Sequence, residues 1–154
     1  MFEYKREMPT ITADIICWHV STNEKFRKNL NFLLIKRKKD PFKNCWALPG
    51  GHFEVKSDAT IKDAAIRELQ EETGIVANND LKFFKYYDEM GRDPRGRYID
   101  FVFETLVSSD IEVVPDDDAI SYCWLSELEI ETTDLAFDHK KVISDFVKYY
   151  FHEK

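Results

Sequence analysis

The stretch from Leu48 to Ile75 restricts this chain to a layered architecture in which strands feed a helix. Ahead of it the apolar residues come in strand-like runs. Thr10 to Val20 is rich in β-branched and aromatic side chains, and Leu30 to Lys36 reads as the returning strand. Pro49-Gly50-Gly51 then supplies a strong turn signal. Past that turn the period changes: Ile61, Ala65 and Leu69 recur every four residues with Ala64 beside them, the apolar stripe of an amphipathic helix. Ser57 or Asp58 is expected to cap its start, and Gly74 to stop it.

The rest of the chain continues the alternation. Polar Ser21 to Asn29 is expected to be a hairpin loop, and Lys36 to Asn44, with five basic side chains, an exposed loop. Leu81 to Met90 and Arg97 to Val107 read as strands around a Gly91–Gly96 loop. An acidic loop follows over Asp110 to Asp118, then a strand over Ala119 to Leu125. Asp138 to Phe151 reads as a closing helix with Val142, Ile143, Phe146, Val147 and Tyr150 inward. Strands before, between and after two helices predict a mixed α/β layer structure, and the length suits one domain over residues 1–154.

Charge and composition narrow the function. A net charge of −7 leaves no general basic excess for nucleic acid. Apolar runs such as Ile15 to Trp18 fall far short of the ~20 residues that span a bilayer. The first residues carry no apolar signal core, so a cytoplasmic protein with no membrane or nucleic-acid partner is expected. Cys17, Cys45 and Cys123 are odd in number and lack CxxC spacing, which argues against disulfides and zinc. Cys17 and Cys123 are expected in the core.

Chemistry concentrates in Arg67-Glu68-Leu69-Gln70-Glu71-Glu72-Thr73-Gly74-Ile75. On a helix, Glu72 is i+4 and Glu71 i+3 from Glu68, so the carboxylates crowd one side and repel. Arg67, i+4 from Glu71, offsets part of this. A divalent cation would offset more: several carboxylate oxygens and a backbone carbonyl suit a hard ion such as Mg²⁺ or Mn²⁺. Magnesium bridges readily to substrate phosphates, which points to phosphoryl chemistry.

Gly51 followed by that run resembles the Nudix box, the loop-helix-loop signature of Nudix hydrolases. The second half of the box, Arg-Glu-U-x-Glu-Glu-x-Gly-U with U aliphatic, matches at every fixed position, and Leu48-Pro49-Gly50-Gly51 resembles its usual entry. The first half departs. Gly51 lies two residues farther from Arg67 than in the family, and Ala59 stands where the family has its first glutamate. Asp58 and Glu54 are the nearby carboxylates that could take its place. The resemblance implies a Nudix-type α/β/α sandwich with a mixed curved sheet. It implies Arg67, Glu68, Glu71 and Glu72 as the catalytic set. Glu68 and Glu72 would be principal metal ligands, Glu71 a further or water-mediated one, a carbonyl near Gly51 would complete the shell, and Arg67 would orient a glutamate.

Three outer segments resemble the ADP-ribose pyrophosphatase branch: Thr12-Ala13-Asp14, Arg92-Asp93-Pro94-Arg95-Gly96-Arg97 and Leu135-Ala136-Phe137-Asp138-His139. They imply a small-molecule nucleotide substrate, ADP-ribose split to AMP and ribose 5-phosphate, and a homodimer as in many members. Arg92, Arg95 and Arg97 offer guanidinium forks for phosphate or ribose. Phe42, Trp46, Phe53 and Tyr87 are the candidates to stack on adenine, and His52, beside Gly51, to approach the phosphates. A general base is expected from Glu112, Asp116, Asp117 or Asp118. Alternatives are a hydrolase of nucleoside triphosphates, dinucleoside polyphosphates or NADH, and a sensor that binds ADP-ribose without cleaving it. Sensors of this branch carry a DNA-binding domain after the Nudix part, so a chain ending at Lys154 is expected to be an enzyme.

Overall fold

The computed structural model describes residues 2–77, 80–115 and 121–152. Its axis is β1 (Thr10–Thr22), whose residues alternate between two buried faces. Ala13, Ile15 and Cys17 point to one side, Ile16 and Trp18 to the other, so β1 lies in the middle of the protein. One edge of β1 pairs with a strand far along the chain, β6 (Tyr98–Leu106), in parallel from Thr10 to Trp18. The other edge is divided. Trp18–Thr22 pair antiparallel with β2 (Lys28–Lys36), whereas Thr12–Asp14 pair antiparallel with β4 (Gly50–His52).

That division is the main feature of the sheet. Beyond the Trp18–Phe32 pair, β1 and β2 part. The wedge is filled by β3 (Trp46–Ala47), which pairs with Ile35 and Lys36 of β2, and by β4 on β1, with the Ile15 amide donating to the Pro49 carbonyl between them at 2.8 Å. β5 (Lys82–Tyr87) closes the sheet outside β6, with a register shift between Phe83 and Lys85. β7 (Tyr122–Ser126) pairs with the remaining edge of β2. The result is a seven-stranded mixed sheet with a helix on each face.

Helix α1 (Ile61–Thr73) covers one face. Thr60 caps it through a capping box with Asp63, and Gly74, at φ 74°, ends it by donating to the Gln70 carbonyl. Ala64, Ala65 and Leu69 pack on Ala13, Ile15, Cys17, Leu33 and Phe103, the stripe read from the sequence. The cap differs from expectation: Ser57 and Asp58 sit in the enlarged loop before the helix, too far upstream to reach its first free amides. The other face carries α3 (His139–His152), with Val142, Ile143 and Phe146 buried against Trp18, Leu30, Phe32 and Leu34. Val147 and Tyr150 pack at its margin.

Other boundaries shift modestly. The first hairpin keeps only residues 23–27 as loop, because Asn23 Oδ1 accepts the Lys25 and Arg27 amides and tightens the turn. The last strand is Tyr122–Ser126, and a short helix, α2 (Glu127–Glu131), follows under a second capping box. Asp116 to Ile120 lie outside the described residues. Cys17 is fully buried, Cys45 and Cys123 half-buried, and all three are free thiols. No helix among the described residues is long and apolar enough to cross a membrane.

Phe146 anchors the α3 face, with its ring edge-on to Trp18 at 5.3 Å and Phe84 at 5.4 Å. Phe146→Ala is expected to cost about 3–5 kcal/mol through the cavity it leaves. Thermal unfolding should show a midpoint lowered by roughly 10 °C.

Candidate active site

The parting of β1 and β2 opens a cleft of about 730 Å³, within the range of small-ligand sites. One side is formed by α1 and β4, another by the end of β2 with Lys36 to Asp40, and a third by the 92–95 loop with Phe137 and His139.

The α1 side is acidic. Glu68 is largely buried and lies against β4, where a Cβ on Gly51 would come within 2.5 Å of its carboxylate; only glycine allows this approach. Glu72 accepts the Gly50 amide at 3.3 Å. Glu71 is half exposed at the rim. Arg67 ties the group together: Nη1 donates to Glu68 Oε1 at 2.9 Å and to Glu71 Oε2 at 3.4 Å, and Nη2 donates to the His52 carbonyl. Its remaining fork goes to Asp58, with Nε to Oδ1 at 3.0 Å and Nη2 to Oδ2 at 2.8 Å. Asp58, from the loop before α1, thus takes both oxygens to Arg67. Glu54 is exposed and contributes through its backbone: its amide donates to Asp58 Oδ2, and its carbonyl accepts the Ser57 and Asp58 amides.

Burial raises the pKa of Glu68, and it raises that of Glu72 well above the usual carboxylate range, with Glu68 adding to the effect. The Asp58 carboxyl, by contrast, is held low by Arg67. Two adjacent, desolvated carboxylates with a guanidinium on one of them form an oxygen-donor set that suits a hard divalent cation.

Beneath lies a second titratable group. Asp14, Asp100 and His139 bring ligand-type atoms within 4.8 Å of one another. The Leu48 amide donates to His139 Nδ1 at 3.0 Å, so the neutral ring carries its proton on Nε2, which faces Asp14 Oδ2 at 3.2 Å. That makes the imidazole a poor metal ligand, and a cation here would rely on the carboxylates. Thr12 donates to Asp100 Oδ1. Burial pushes Asp14 up to about 6, Asp100 well above its ordinary range, and His139 down to about 4.

The three expected substrate arginines separate. Arg92 lines the cleft but turns inward: Nε and Nη2 fork onto Asp138 at 2.9 and 2.6 Å, and Nη2 stands 3.6 Å from Asp100. Arg95 lies at the cleft, held by Asp93. Arg97 is exposed and does not line the cleft; its carbonyl accepts the Thr10 amide. Of the aromatics, Tyr87 and Phe53 pack with the core, Trp46 sits half-buried in β3, and Phe42 stacks on Phe137 at 4.8 Å. His52 lines the cleft, with Nε2 3.3 Å from the Tyr98 hydroxyl. Glu112 is exposed, and Asp116, Asp117 and Asp118 lie outside the described residues. Arg37, Phe137 and the role of His139 were not foreseen. The signals for them were slight: the basic Lys36–Asn44 loop and the outer Leu135–His139 resemblance.

Residues 14–146 match the NUDIX domain family. An ADP-ribose pyrophosphatase from Methanocaldococcus jannaschii is 37% identical over 123 residues, 79% of this chain and 69% of that protein. The NUDIX domain of Shewanella oneidensis NrtR, solved in complex with ADP ribose, shares the fold with a TM-score of 0.82 at 23% identity, over 94% of this chain and 90% of that one. A bifunctional NMN adenylyltransferase/ADP ribose pyrophosphatase from Francisella tularensis, solved with AMP and a Mn ion, is 29% identical with a TM-score of 0.75, over 94% of this chain and 43% of that one. With its box carried on β4 and α1 at the mouth of a split sheet, the chain belongs to the NUDIX family.

Proposed function

We propose that this protein hydrolyses the pyrophosphate bridge of a nucleoside diphosphate derivative, ADP-ribose before others, to AMP and ribose 5-phosphate. The observation that carries the reading is a single cleft lined both by the carboxylates of Glu68, Glu71 and Glu72 and by the guanidinium of Arg95. Such a cleft has one region for a cation and another for the anionic oxygens of a diphosphate. The relatives named for ADP-ribose support the choice of sugar nucleotide.

In this reading Glu68, Glu72 and a carbonyl near Gly51 hold a divalent ion, with Glu71 a further or water-mediated ligand. Magnesium is the preferred ion and manganese a substitute. When bound, the ion supplies charge neutralisation on the diphosphate and activation of the attacking water. Arg67, braced by Asp58, fixes the Glu68 carboxylate so that its oxygens are already placed when ligand arrives. Arg95 donates to phosphate or ribose oxygens. Arg92 acts from below, as the counter-charge of Asp138 and Asp100. In the net reaction, the oxygen of water bonds to one phosphorus, the bond from that phosphorus to the bridging oxygen breaks, and the released proton passes to a carboxylate or to solvent.

Chelation by EDTA should stop turnover, and Mg²⁺ should restore it. In a panel with product identification, ADP-ribose should be turned over faster than dGTP, dinucleoside polyphosphates or NADH. Tight ADP-ribose binding without AMP release would instead favour the sensor.

Glu72→Gln keeps the shape and removes a carboxyl whose ionisation burial and then Glu68 oppose. Its activity should fall by about 100-fold, on the scale of losing one electrostatic catalytic contact. The thermal midpoint of the metal-free variant should stay level or rise, while the gain on adding Mg²⁺ should shrink. Retention of full rate would remove Glu72 from the ligand set.

A further inference from the structure

We infer that Phe137 is a positioning residue whose ring holds Arg37 and Arg95 as a paired guanidinium clamp for the diphosphate of the ligand. The inference rests on the proposed function in taking the cleft as the diphosphate site, and it assigns a role to a side chain that carries no polar atom.

Phe137 is half-buried and lines the cleft. The Arg37 guanidinium carbon stands 4.8 Å from its ring centroid, and that of Arg95 stands 5.3 Å from the same centroid. Arg95 also lies 4.4 Å from the Tyr98 ring, and Phe42 packs on Phe137 at a tilt of 59°. Two like charges gathered about one ring repel, and burial, then nearby Arg95, lowers the Arg37 pKa. Ring faces attract guanidinium groups and so oppose that repulsion.

The remaining hydrogen bonds orient the pair and leave donors over. Arg95 gives Nε and Nη2 to Asp93, and Arg37 gives Nε to the Pro41 carbonyl at 2.8 Å. Among the described residues, neither Nη of Arg37 nor Nη1 of Arg95 has a hydrogen-bond partner, and Arg37 has no carboxylate within 4.0 Å. Forked donors fixed in place but unsatisfied suit phosphate oxygens.

The backbone supports the same role. Phe137 has φ 52°, a left-handed conformation that a bulky residue adopts only where its surroundings enforce it. Its neighbours are tied on both sides. Leu135 bridges to Trp46, and the Ala136 amide donates to the Trp46 carbonyl. Asp138 takes the Arg92 fork, and His139 takes the Leu48 amide. These ties fix the ring beside the two arginines, each of which comes from a different part of the chain.

The test is titration of inorganic pyrophosphate with Mg²⁺ into the protein and its variants, alongside KM and kcat for ADP-ribose. Phe137→Ala and Phe137→Leu should each weaken pyrophosphate binding and raise KM by about tenfold, the scale of two lost ring–cation contacts. Phe137→Tyr should stay within about twofold of the parent, and kcat should change less than KM throughout. Phe137→Gly, which relaxes the left-handed backbone, should keep the thermal midpoint yet bind pyrophosphate as weakly as Phe137→Ala. Adding Arg37→Ala to Phe137→Ala should weaken binding less than the product of the two single effects. Unchanged pyrophosphate binding in Phe137→Ala and Phe137→Gly would overturn the clamp, as would full rescue by Leu. A clamp seen with pyrophosphate in a protein that leaves ADP-ribose intact would instead overturn only the proposed substrate.

Discussion

Everything at the cleft depends on β1 serving two partners along one edge. A strand paired to one neighbour throughout would leave a closed sheet with no place for a ligand. Here the β1–β2 ladder ends at Trp18–Phe32, and the freed edges are taken by β4 and β3. The peptide groups thus remain paired while the chain between β3 and β4 crosses the gap. That crossing segment presents the Leu48 amide to His139, and β4 after it presents Gly51 to Glu68.

Electrostatics governs the rest. The cleft gathers carboxylates that burial makes costly to ionise, and the fold answers them with arginines, each fixed by a fork. Arg67 is split between Asp58 and the helix glutamates, Arg92 between Asp138 and Asp100, and Arg95 is held by Asp93. Glu72, whose ionisation burial and Glu68 oppose, and the Arg37–Arg95 pair are left incompletely answered. In the proposed reading a cation–diphosphate complex has charges of both signs and satisfies the two together, so that ligand binding would also stabilise the fold.

The enlarged loop before α1 shows how far a spacing rule reaches. Counting residues placed Ala59 at the position of a missing acid and left Asp58 and Glu54 equal. The loop turns Asp58 inward and Glu54 outward, and Asp58 reaches Arg67 with both oxygens. The same turn moved the helix cap to Thr60. Both outcomes depend on backbone directions inside an irregular loop, for which there is no periodicity to read. The arginines tell the same story: of three that look alike in sequence, Arg92 and Arg95 line the cleft, the first tied down to Asp138 and Asp100 and the second to Asp93, and Arg97 is in solvent.

The sequence alone determined what depends on neighbours a few residues away. The stripe of α1, the carboxylates gathered on one side of it, the period of β1 and the stop at Gly74 all follow from spacing along a regular backbone. The folded chain decided what depends on distant partners: Thr12 with Asp100, 88 residues on, and Leu48 with His139, 91 residues on. The pairing of Arg37 and Arg95 about Phe137 belongs with these. Such contacts exist only once the sheet has set its register and brought separate loops to one cleft, so no local pattern encodes them.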